Sequence, residues 1–262
     1  IMQDTEASTD GAVYHDQPDG DSLLDDMATS PLPMVIAIEG NIGAGKSTQI
    51  KRLQELFSAR GWRVVVLTEP VDEWVEKGFL QGMYDGSISK GEFQHMVLMS
   101  LAGDLLKALA RKPTPAVIIM ERSPWGTPLH THSKTTQSSL YLAMCQPIHT
   151  GNYEVFGKAN LEGKSLELYH HTWERVLGGM PSKLDVKYVY LNAEVSTIVE
   201  RMTVRGREAE SKVPRDYLEL LNEKHNEWLI PMVASDSCRM INAHHDEDTV
   251  WSYLCEAIKP WF

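Results

Sequence analysis

The stretch that most constrains how this chain can fold is residues 34–48, where a short apolar run leads into a glycine-rich loop. Residues 35–38 are typical of a buried strand, and the pattern G-x-x-x-x-G-K-S that follows matches the phosphate-binding P-loop. Glycines let the backbone wrap a polyphosphate, so that successive N–H groups and a helix N-terminus point at its negative charge. Lys46 would reach the terminal phosphates, and the Ser47 hydroxyl would ligate Mg²⁺.

The same residues could form an ordinary glycine turn. The strand before the loop and the amphipathic helix after it are, however, the context that a P-loop requires. The loop therefore predicts a polyphosphate site, without indicating which group accepts the phosphate. Its predicted nucleotide-binding residues are Gly40, Asn41, Ile42, Gly43, Ala44, Gly45, Lys46, Ser47 and Thr48.

Composition and charge indicate a folded domain with an acidic tail. The chain has 262 residues, 42% hydrophobic and 23% charged, which favours a single α/β domain with a sizeable core. Its net charge of −11 argues against nucleic acid as a partner, because nucleic-acid-binding proteins normally carry a basic surface. Residues 1–32 are acidic and lack Lys and Arg, so we expect a disordered extension before one domain at 33–262.

Cysteine usage and apolar run length bear on the compartment. Cys145, Cys238 and Cys255 show neither metal-site spacing nor a paired framework, which favours reduced thiols in an intracellular protein. No apolar run approaches the ~18 residues of a membrane span, and the acidic N-terminus is the opposite of a transit peptide. We expect a cytoplasmic protein without a membrane partner.

Hydrophobic periodicity predicts short strands that alternate with helices. The predicted strands are 35–38, 64–67, 116–120, 186–191 and 239–242. The predicted helices are 48–60, 92–110, 166–177, 195–203, 214–230 and a last helix capped by Asp248. Residues 72–91 are expected to hold a helix fragment and loops. This alternation indicates an α/β fold, with helices on both faces of a parallel sheet.

Charged residues follow three of the predicted strands. Glu39 follows the first strand, Glu69 the second, and the pair Glu121 and Arg122 the third. In sheets of this type, ligands bind beyond the carboxyl ends of the strands. We therefore expect these residues to meet in one active site.

A set of motifs occurs in a fixed order along the chain. They are E-G-N-I-G-A-G-K-S-T at 39–48, T-E-P-V-D-E-W at 68–74, F-Q at 93–94, E-R-S at 121–123, R-G-R-E-A-E at 205–210 and Y-L-E-L-L-N-E-K-H-N-E-W-L at 217–229. This set resembles the deoxyribonucleoside kinases, the family of deoxycytidine kinases and of mitochondrial-type and herpesviral thymidine kinases. The resemblance implies a P-loop kinase fold with a five-stranded parallel sheet and an arginine-bearing lid. It also implies transfer of the γ-phosphate of ATP, with Mg²⁺, to the 5′-hydroxyl of a deoxynucleoside, by a homodimer.

The resemblance assigns catalytic roles around the loop. Glu69 matches the family's general base, and proton transfer of this kind is worth roughly 10²–10⁴-fold in rate. Glu121 is implied to hold Mg²⁺ together with Ser47, and Arg122 to contact the 5′-oxygen and hold Glu69. Lys46 completes the catalytic set. An acidic helix cap and a purely structural Glu–Arg pair remain the alternative interpretations.

The resemblance also implies a lid and a sugar site. Arg201, Arg205 and Arg207 match the lid over the nucleotide phosphates, where cations stabilise the charge of the transferred group. Because Arg201 and Arg205 are four residues apart on a helix, they share one face and can point at one anion. A solvated basic face is the alternative. Tyr84 and Glu210 match the groups that bind the 3′-hydroxyl.

The base site is expected on the helix that carries Gln94. Gln94 matches the residue that reads the base through its amide, and it shares a helical face with Val97 and Leu101. Trp74 is expected to pack against the sugar and the base edge. Whether Phe156 or Tyr153 stacks on the base stays open, because residues 124–165 give no clear pattern.

Two positions bear on the choice of base. Family members that accept purines and cytosine carry an Arg on the Gln-bearing helix and an Asp shortly after the E-R-S motif. The matching positions here are Val97 or Leu101, and Thr127. One amide in an apolar pocket favours thymine. Thymidine is therefore the first expectation, and deoxycytidine stays open.

Three other functions are compatible with a P-loop. A thymidylate kinase carries Arg directly before Glu-Pro to bind the phosphate of its substrate, where this chain has Thr68. A GTPase needs an N-K-x-D motif, which the chain lacks. A non-catalytic nucleotide-binding module is disfavoured by the retained Lys46, Glu69 and Arg122.

The histidines of segment 124–171 do not have the spacing of any standard metal site.

Overall fold

In the part of the chain that the structure describes, five strands run parallel in one sheet. They are β1 Met34–Glu39, β2 Val64–Leu67, β3 Val117–Glu121, β4 Asp185–Asn192 and β5 Cys238–Asn242. Their order is β2-β3-β1-β4-β5, so the strand before the P-loop lies at the centre. The structure is a computed structural model, and it describes residues 32–123, 152–178, 184–207, 210, 213–234 and 236–262.

Helices connect the strands and cover the sheet. They are α1 Lys46–Ala59, α2 Val71–Glu76, α3 Phe79–Asp85, α4 Lys90–Leu109, α5 Lys158–Asn160, α6 Gly163–Leu177, α7 Val195–Arg205, α8 Arg215–Leu229 and α9 Glu247–Ile258. A π-helical turn at Asn152–Gly157 leads into α5, and 3-10 turns at Ile230–Ala234 and Lys259–Trp261 follow α8 and α9.

The side chains of β1 show that both faces of the sheet are covered. Ile36 and Ile38 belong to a buried core cluster that also contains Leu53 of α1 and Leu254 of α9. Val35 points to the opposite face, because side chains alternate along a strand, and it is also fully buried. A strand that is apolar on both faces is typical of a parallel sheet between two helical layers. The predicted α/β fold with a five-stranded parallel sheet is confirmed.

The helix boundaries differ from the predicted ones where capping residues decide them. α4 begins at Lys90 rather than at residue 92. Ser89 accepts the N–H of Glu92, and the Glu92 carboxylate accepts the N–H of Ser89 in a capping box. The last helix is capped by Asp246 rather than Asp248, whose own N–H donates to the Asp246 side chain. Residues 72–91 contain two short helices, α2 and α3, rather than one fragment.

Several predictions concern residues outside the described ranges. These are the disordered extension at 1–32, of which only Leu32 is described, the position Thr127, the His-rich stretch before residue 152, and Cys145. Among the described cysteines, Cys238 is buried and Cys255 is partly buried, and both are free thiols. None of the helices in the described ranges has the length and apolar character needed to cross a membrane.

Candidate active site

The P-loop joins β1 to α1 through glycines with positive φ. Gly40, Gly43 and Gly45 have φ values of 146°, 78° and 98°, a region that other residues rarely adopt. A Cβ atom on Gly40 would lie 2.8 Å from the carbonyl oxygen of Leu191, so the close approach of β4 also requires glycine there. The loop therefore wraps around the N-terminus of α1, as a P-loop does.

Lys46 and Asn41 fix the shape of the loop. Lys46 Nζ donates to the carbonyl oxygens of Gly40 and Asn41, at 3.1 and 3.0 Å. Asn41 Nδ2 donates to the carbonyl oxygen of Leu218 in α8 at 2.8 Å, and its Oδ1 accepts the N–H of Ile42 at 2.8 Å. The loop is thus tied to a helix 177 residues away in the sequence.

Glu121 lies beside the first residues of α1. Its carboxylate is 3.8 Å from Lys46 Nζ and accepts the Ser47 hydroxyl at 3.4 Å. Burial lowers the pKa of Lys46, while the charge of Glu121 opposes that shift. A hydroxyl and a carboxylate are oxygen ligands of the kind that Mg²⁺ prefers, with substrate phosphates and water completing its shell. Ser47 and Glu121 therefore fit a Mg²⁺ ion that is bound together with a nucleotide.

Glu69 and Arg122 form a buried ion pair beyond the neighbouring strands β2 and β3. Arg122 Nη1 donates to Glu69 Oε1 at 2.6 Å, and the two side chains are 12% and 7% exposed. Burial raises the pKa of Glu69 above its ordinary value, and the charge of Arg122 opposes that shift. A carboxylate with a raised pKa is well placed to accept a proton near neutral pH.

Arg122 also contacts an aromatic group that the sequence left open. Its guanidinium lies 3.8 Å from the centroid of the Phe156 ring. Tyr153, the other residue considered, stacks instead on Tyr169 and Trp173, which belong to α6. Of the two aromatic residues, Phe156 is therefore the one at the site.

His225 is a residue of the site to which the sequence assigned no role. Its ring is fully buried, edge-on to Phe156 and stacked in parallel on Tyr190 of β4. Nδ1 lies 2.7 Å from the carbonyl oxygen of Leu221, so Nδ1 carries the proton and Nε2 is an acceptor. Burial lowers the pKa of His225 to about 3, so it contributes a neutral imidazole.

Glu39, which the sequence placed at this edge of the sheet without a specific role, is also part of the site. It ends β1, is 1% exposed, and its Oε1 accepts the N–H of Ser123 at 2.7 Å. Burial raises its pKa to about 7, while the Ser123 hydrogen bond and the charges of Arg122 and Lys46 act in the opposite direction. A third carboxylate therefore lies next to the Glu69–Arg122 pair.

The structure brings together the residues predicted for the base. Gln94 is 4% exposed, and its Oε1 has no hydrogen-bond partner among the described residues. Val97 and Leu101 follow on the same buried face of α4. They form one cluster with Trp74, whose ring meets that of Phe93 edge-on at 5.5 Å. The Gln94 amide therefore lies on the same helix face as an apolar wall.

Tyr84 lies within the electrostatic influence of Glu210, the other residue predicted for the sugar. Burial raises the pKa of Tyr84, and the neighbouring Tyr217 and Glu210 add to the shift. Glu210 also accepts hydrogen bonds from Arg205 and Arg207, at 3.0 Å to Arg205 Nε and 3.5 Å to Arg207 Nη1. The carboxylate predicted for the 3′-hydroxyl is therefore shared with two of the arginines predicted for the lid.

Arg201 and Arg205 contact different acceptors in this structure. Arg201 donates to the carbonyl oxygens of Ala44 in the P-loop and His245 after β5, at 3.4 and 2.6 Å. Arg205 instead turns to Glu210 at the end of α7. Glu210 is thus the charged acceptor of Arg205, whereas Arg201 contacts the P-loop.

A parallel sheet with a P-loop after its central strand, and acidic and basic residues beyond the adjacent strands, defines a P-loop phosphotransferase. The family profile described as deoxynucleoside kinase matches residues 36–143 and 148–256. The chain therefore belongs to the deoxynucleoside kinase family, and it is an enzyme of this kind.

Individual relatives are named for different nucleosides. The chain is 31% identical over 203 residues to the thymidine kinase of Ictalurid herpesvirus 1 (strain Auburn), which covers 76% of this chain and 75% of the relative. It is 28% identical over 218 residues to the deoxycytidine kinase of Homo sapiens, with 74% and 75% covered. A solved structure of deoxyadenosine kinase from M. mycoides, with the products dCMP and a flexible dCDP bound, covers 87% of this chain and 100% of its own. Its TM-score of 0.58 at 21% identity shows the shared fold.

Proposed function

We propose that this chain transfers the γ-phosphate of ATP to the 5′-hydroxyl of a pyrimidine deoxynucleoside in nucleotide salvage, with thymidine as the preferred substrate. The main support is the buried Gln94 amide, whose Oε1 is unpaired within the described ranges, on the same helix face as Val97 and Leu101. Thymine presents an acceptor, a donor and a methyl group, which complement an amide and an apolar wall. Deoxycytidine is the second candidate, because a relative is named for it.

The donor side of the site binds the phosphates of ATP. The backbone N–H groups of the P-loop and the N-terminus of α1 face the negative charge, and Lys46 exchanges its loop carbonyl partners for phosphate oxygens. Mg²⁺ held by Ser47 and Glu121 would neutralise charge on the β- and γ-phosphate oxygens. Each of these groups stabilises charge on the transferred phosphoryl group.

The acceptor side activates the 5′-hydroxyl. Glu69 accepts its proton as the oxygen attacks the γ-phosphate. Arg122 keeps Glu69 in place and favours its charged form through the 2.6 Å ion pair. Its Nε–H has no partner among the described residues and would donate to the 5′-oxygen. Proton acceptor and cation thus act from neighbouring strand ends.

The remaining contacts close the site over ATP and hold the sugar. Arg201 already contacts a P-loop carbonyl, so this lid arginine would reach the phosphates from there. Arg205 and Arg207 complete the lid, and their partner Glu210 binds the 3′-hydroxyl together with Tyr84. Trp74 packs against the sugar and the base edge. Mobility of the segment that carries Arg201, Arg205 and Arg207 would let the lid close only when ATP is bound.

The residue before Glu69 supports an uncharged acceptor. A nucleotide kinase needs a cation near the phosphate of its substrate, and this chain has the neutral Thr68 at the position where thymidylate kinases carry Arg. Thymidylate kinase activity is therefore the less favoured alternative, and a non-catalytic nucleotide-binding protein is another.

A phosphate-transfer assay separates these possibilities. Labelled ATP with Mg²⁺ is supplied with each of the four deoxynucleosides, or with thymidine monophosphate. We expect thymidine to give the highest kcat/KM, and thymidine monophosphate to remain unchanged. Faster turnover of deoxycytidine would overturn the thymidine assignment. Phosphorylation of the monophosphate alone would indicate a nucleotide kinase, and no transfer at all would indicate a binding protein. The matched blank is Lys46→Met, which removes the phosphate-binding cation.

Three further proposals concern the whole protein. The family resemblance supports a homodimer, which light scattering coupled to size-exclusion chromatography measures directly. The composition of residues 1–32 supports a disordered extension before a catalytic domain at 33–262, and a variant that begins at residue 33 should keep its activity. A cytoplasmic location is proposed from the reduced-type cysteine usage, and fractionation of cells tests it.

A further inference from the structure

Arg122 has a backbone conformation that residues other than glycine rarely adopt. With a φ of 61°, it is the one non-glycine residue with positive φ in the part of the chain that the structure describes. In this region the Cβ atom crowds the following carbonyl oxygen, and such conformations persist only where the surroundings impose them. The contacts that impose this conformation therefore also decide where the Arg122 guanidinium points.

Two consecutive N–H groups tie this turn to the end of β1. The N–H of Arg122 donates to the carbonyl oxygen of Ile38 at 3.2 Å, which extends the pairing of β1 and β3. The next N–H, that of Ser123, donates to the side chain of Glu39 at 2.7 Å. Beyond Glu39 the chain leaves the sheet to form the P-loop. The Glu39 carboxylate thus supplies an acceptor where the strand supplies none.

We infer that Glu39 is a positioning residue for Arg122, because it accepts the Ser123 N–H and so holds the left-handed turn that aims the guanidinium at Glu69 and Phe156. The inference rests on the proposed function, in which Arg122 and Glu69 act on the 5′-hydroxyl. The guanidinium lies 2.6 Å from Glu69 Oε1 and 3.8 Å from the Phe156 centroid. A relaxed, right-handed backbone at Arg122 would turn the side chain away from both contacts.

The hydrogen bond from the Ser123 N–H requires a side chain of the right length at residue 39, rather than a negative charge. A neutral amide oxygen accepts the same bond as a carboxylate oxygen. Gln has the length of Glu and keeps this oxygen in place. Asp keeps the charge, but it is one methylene shorter and withdraws the oxygen from the Ser123 N–H. The two variants Glu39→Gln and Glu39→Asp therefore separate reach from charge.

Steady-state kinetics of the full-length variants with thymidine and ATP test the inference. We expect Glu39→Gln to keep kcat within about threefold of the unsubstituted enzyme. We expect Glu39→Asp to lower kcat by roughly 10–100-fold, because a misplacement of about 1 Å at a catalytic group can cost that much. The KM for ATP should change little in both, because the P-loop contacts of Lys46 do not involve Glu39.

Amide hydrogen exchange at Ser123 provides a readout that does not depend on activity. Exchange of this N–H should be faster in Glu39→Asp than in Glu39→Gln, and similar in Glu39→Gln and the unsubstituted chain. If the unsubstituted enzyme phosphorylates no nucleoside, the proposed function fails, and the order of exchange rates still tests the positioning role.

The opposite order of activities in the two variants overturns the inference. An active Glu39→Asp beside an inactive Glu39→Gln would assign Glu39 a role through its charge. Equal activity in both variants, whether normal or lost, would show that the acceptor does not position Arg122. Unchanged Ser123 exchange in Glu39→Asp would contradict the inference in the same way.

Discussion

Arg122 Nη1 lies 2.6 Å from Glu69 Oε1, and this buried pair joins the residues beyond β2 and β3. Burial of Glu69 favours its protonated form, and the guanidinium favours the carboxylate. These opposing effects of burial and of the Arg122 charge leave Glu69 as a buried carboxylate that can accept a proton. Because β2 and β3 pair directly, the sheet itself brings the two side chains together.

Removing the acceptor charge at Glu69 should stop turnover while leaving binding nearly intact. In Glu69→Gln we expect kcat to fall by at least roughly 10²-fold, because the amide cannot take the proton of the 5′-hydroxyl. The thymidine dissociation constant, measured by calorimetry, should stay nearly constant. Glu76→Gln, an exposed residue on α2, is the matched control and should remain fully active. Near-normal turnover in Glu69→Gln would contradict the assignment.

The pH dependence of kcat/KM should show the protonation of Glu69 as a loss of activity at low pH. The pKa of Glu69 is raised above the ordinary value of 4.5, and only the carboxylate accepts a proton. Activity is therefore present above the pKa of the folded protein and is lost as the pH falls through it. We expect this loss to be centred above pH 4.5, and to be absent from the residual activity of Glu69→Gln. A profile that stays flat in the unsubstituted enzyme down to pH 4.5 would rule out a titrating base.

Much of the fold could be predicted from the sequence, because the signals are local. The run 35–38 is apolar at every position, and the glycines that follow require one backbone shape. Each predicted strand lies within one or two residues of an observed strand. The placement of Glu69, Glu121 and Arg122 then follows from the rule that parallel strands share one edge at their carboxyl ends.

The missed features depend on contacts between distant parts of the chain. The hydrogen bond from Ser123 to Glu39 spans 84 residues, and no local pattern reveals it. For His225, the spacing of apolar residues in α8 does not show that a polar ring belongs to the buried face. The structure buries His225 together with Leu221 and Trp228. Tyr190 and Phe156 pack against its ring. The split between Arg201 and Arg205 likewise depends on Glu210, which lies beyond the helix.

Truncating Gln94 should weaken recognition of the base. In Gln94→Ala we expect kcat/KM for thymidine to fall by roughly 10–100-fold, because the polar edge of the base loses its buried partner. The ratio of thymidine to deoxycytidine turnover should move toward one. Gln81→Ala, an exposed residue on α3, is the control. If the KM for thymidine stays unaltered in Gln94→Ala, the base is read elsewhere.

The buried His225 should make the fold sensitive to acid. Its pKa is lowered from 6.5 to about 3 in the folded chain, so between these values the unfolded chain binds a proton that the folded chain does not. The free energy of unfolding therefore falls as pH falls through this window, by up to about 1.4 kcal/mol per pH unit from this group.

Urea unfolding at several pH values measures that contribution. His225→Phe keeps a ring against Tyr190 and cannot titrate, so its unfolding free energy should decline less steeply between pH 6.5 and 3. Other groups, such as Glu39, are present in both chains and cancel in the difference. His171→Gln, an exposed replacement on α6, should keep the original slope. Equal slopes for His225→Phe and the unsubstituted chain would show that His225 titrates normally.

Neutralising Glu210 should impair recognition of the sugar. Its carboxylate contacts Arg205 and Arg207 and lies near Tyr84. A hydrogen bond to a charged group is worth about 1.5–3 kcal/mol, so Glu210→Gln should lower kcat/KM for thymidine by roughly 10–100-fold. The enzyme should also lose its preference for thymidine over 3′-deoxythymidine, which lacks the hydroxyl that Glu210 is proposed to bind. The exposed Glu219→Gln breaks a comparable pair with Arg215 and should change neither value. If Glu210→Gln still discriminates between the two nucleosides and only its KM for ATP rises, Glu210 serves the lid arginines rather than the sugar.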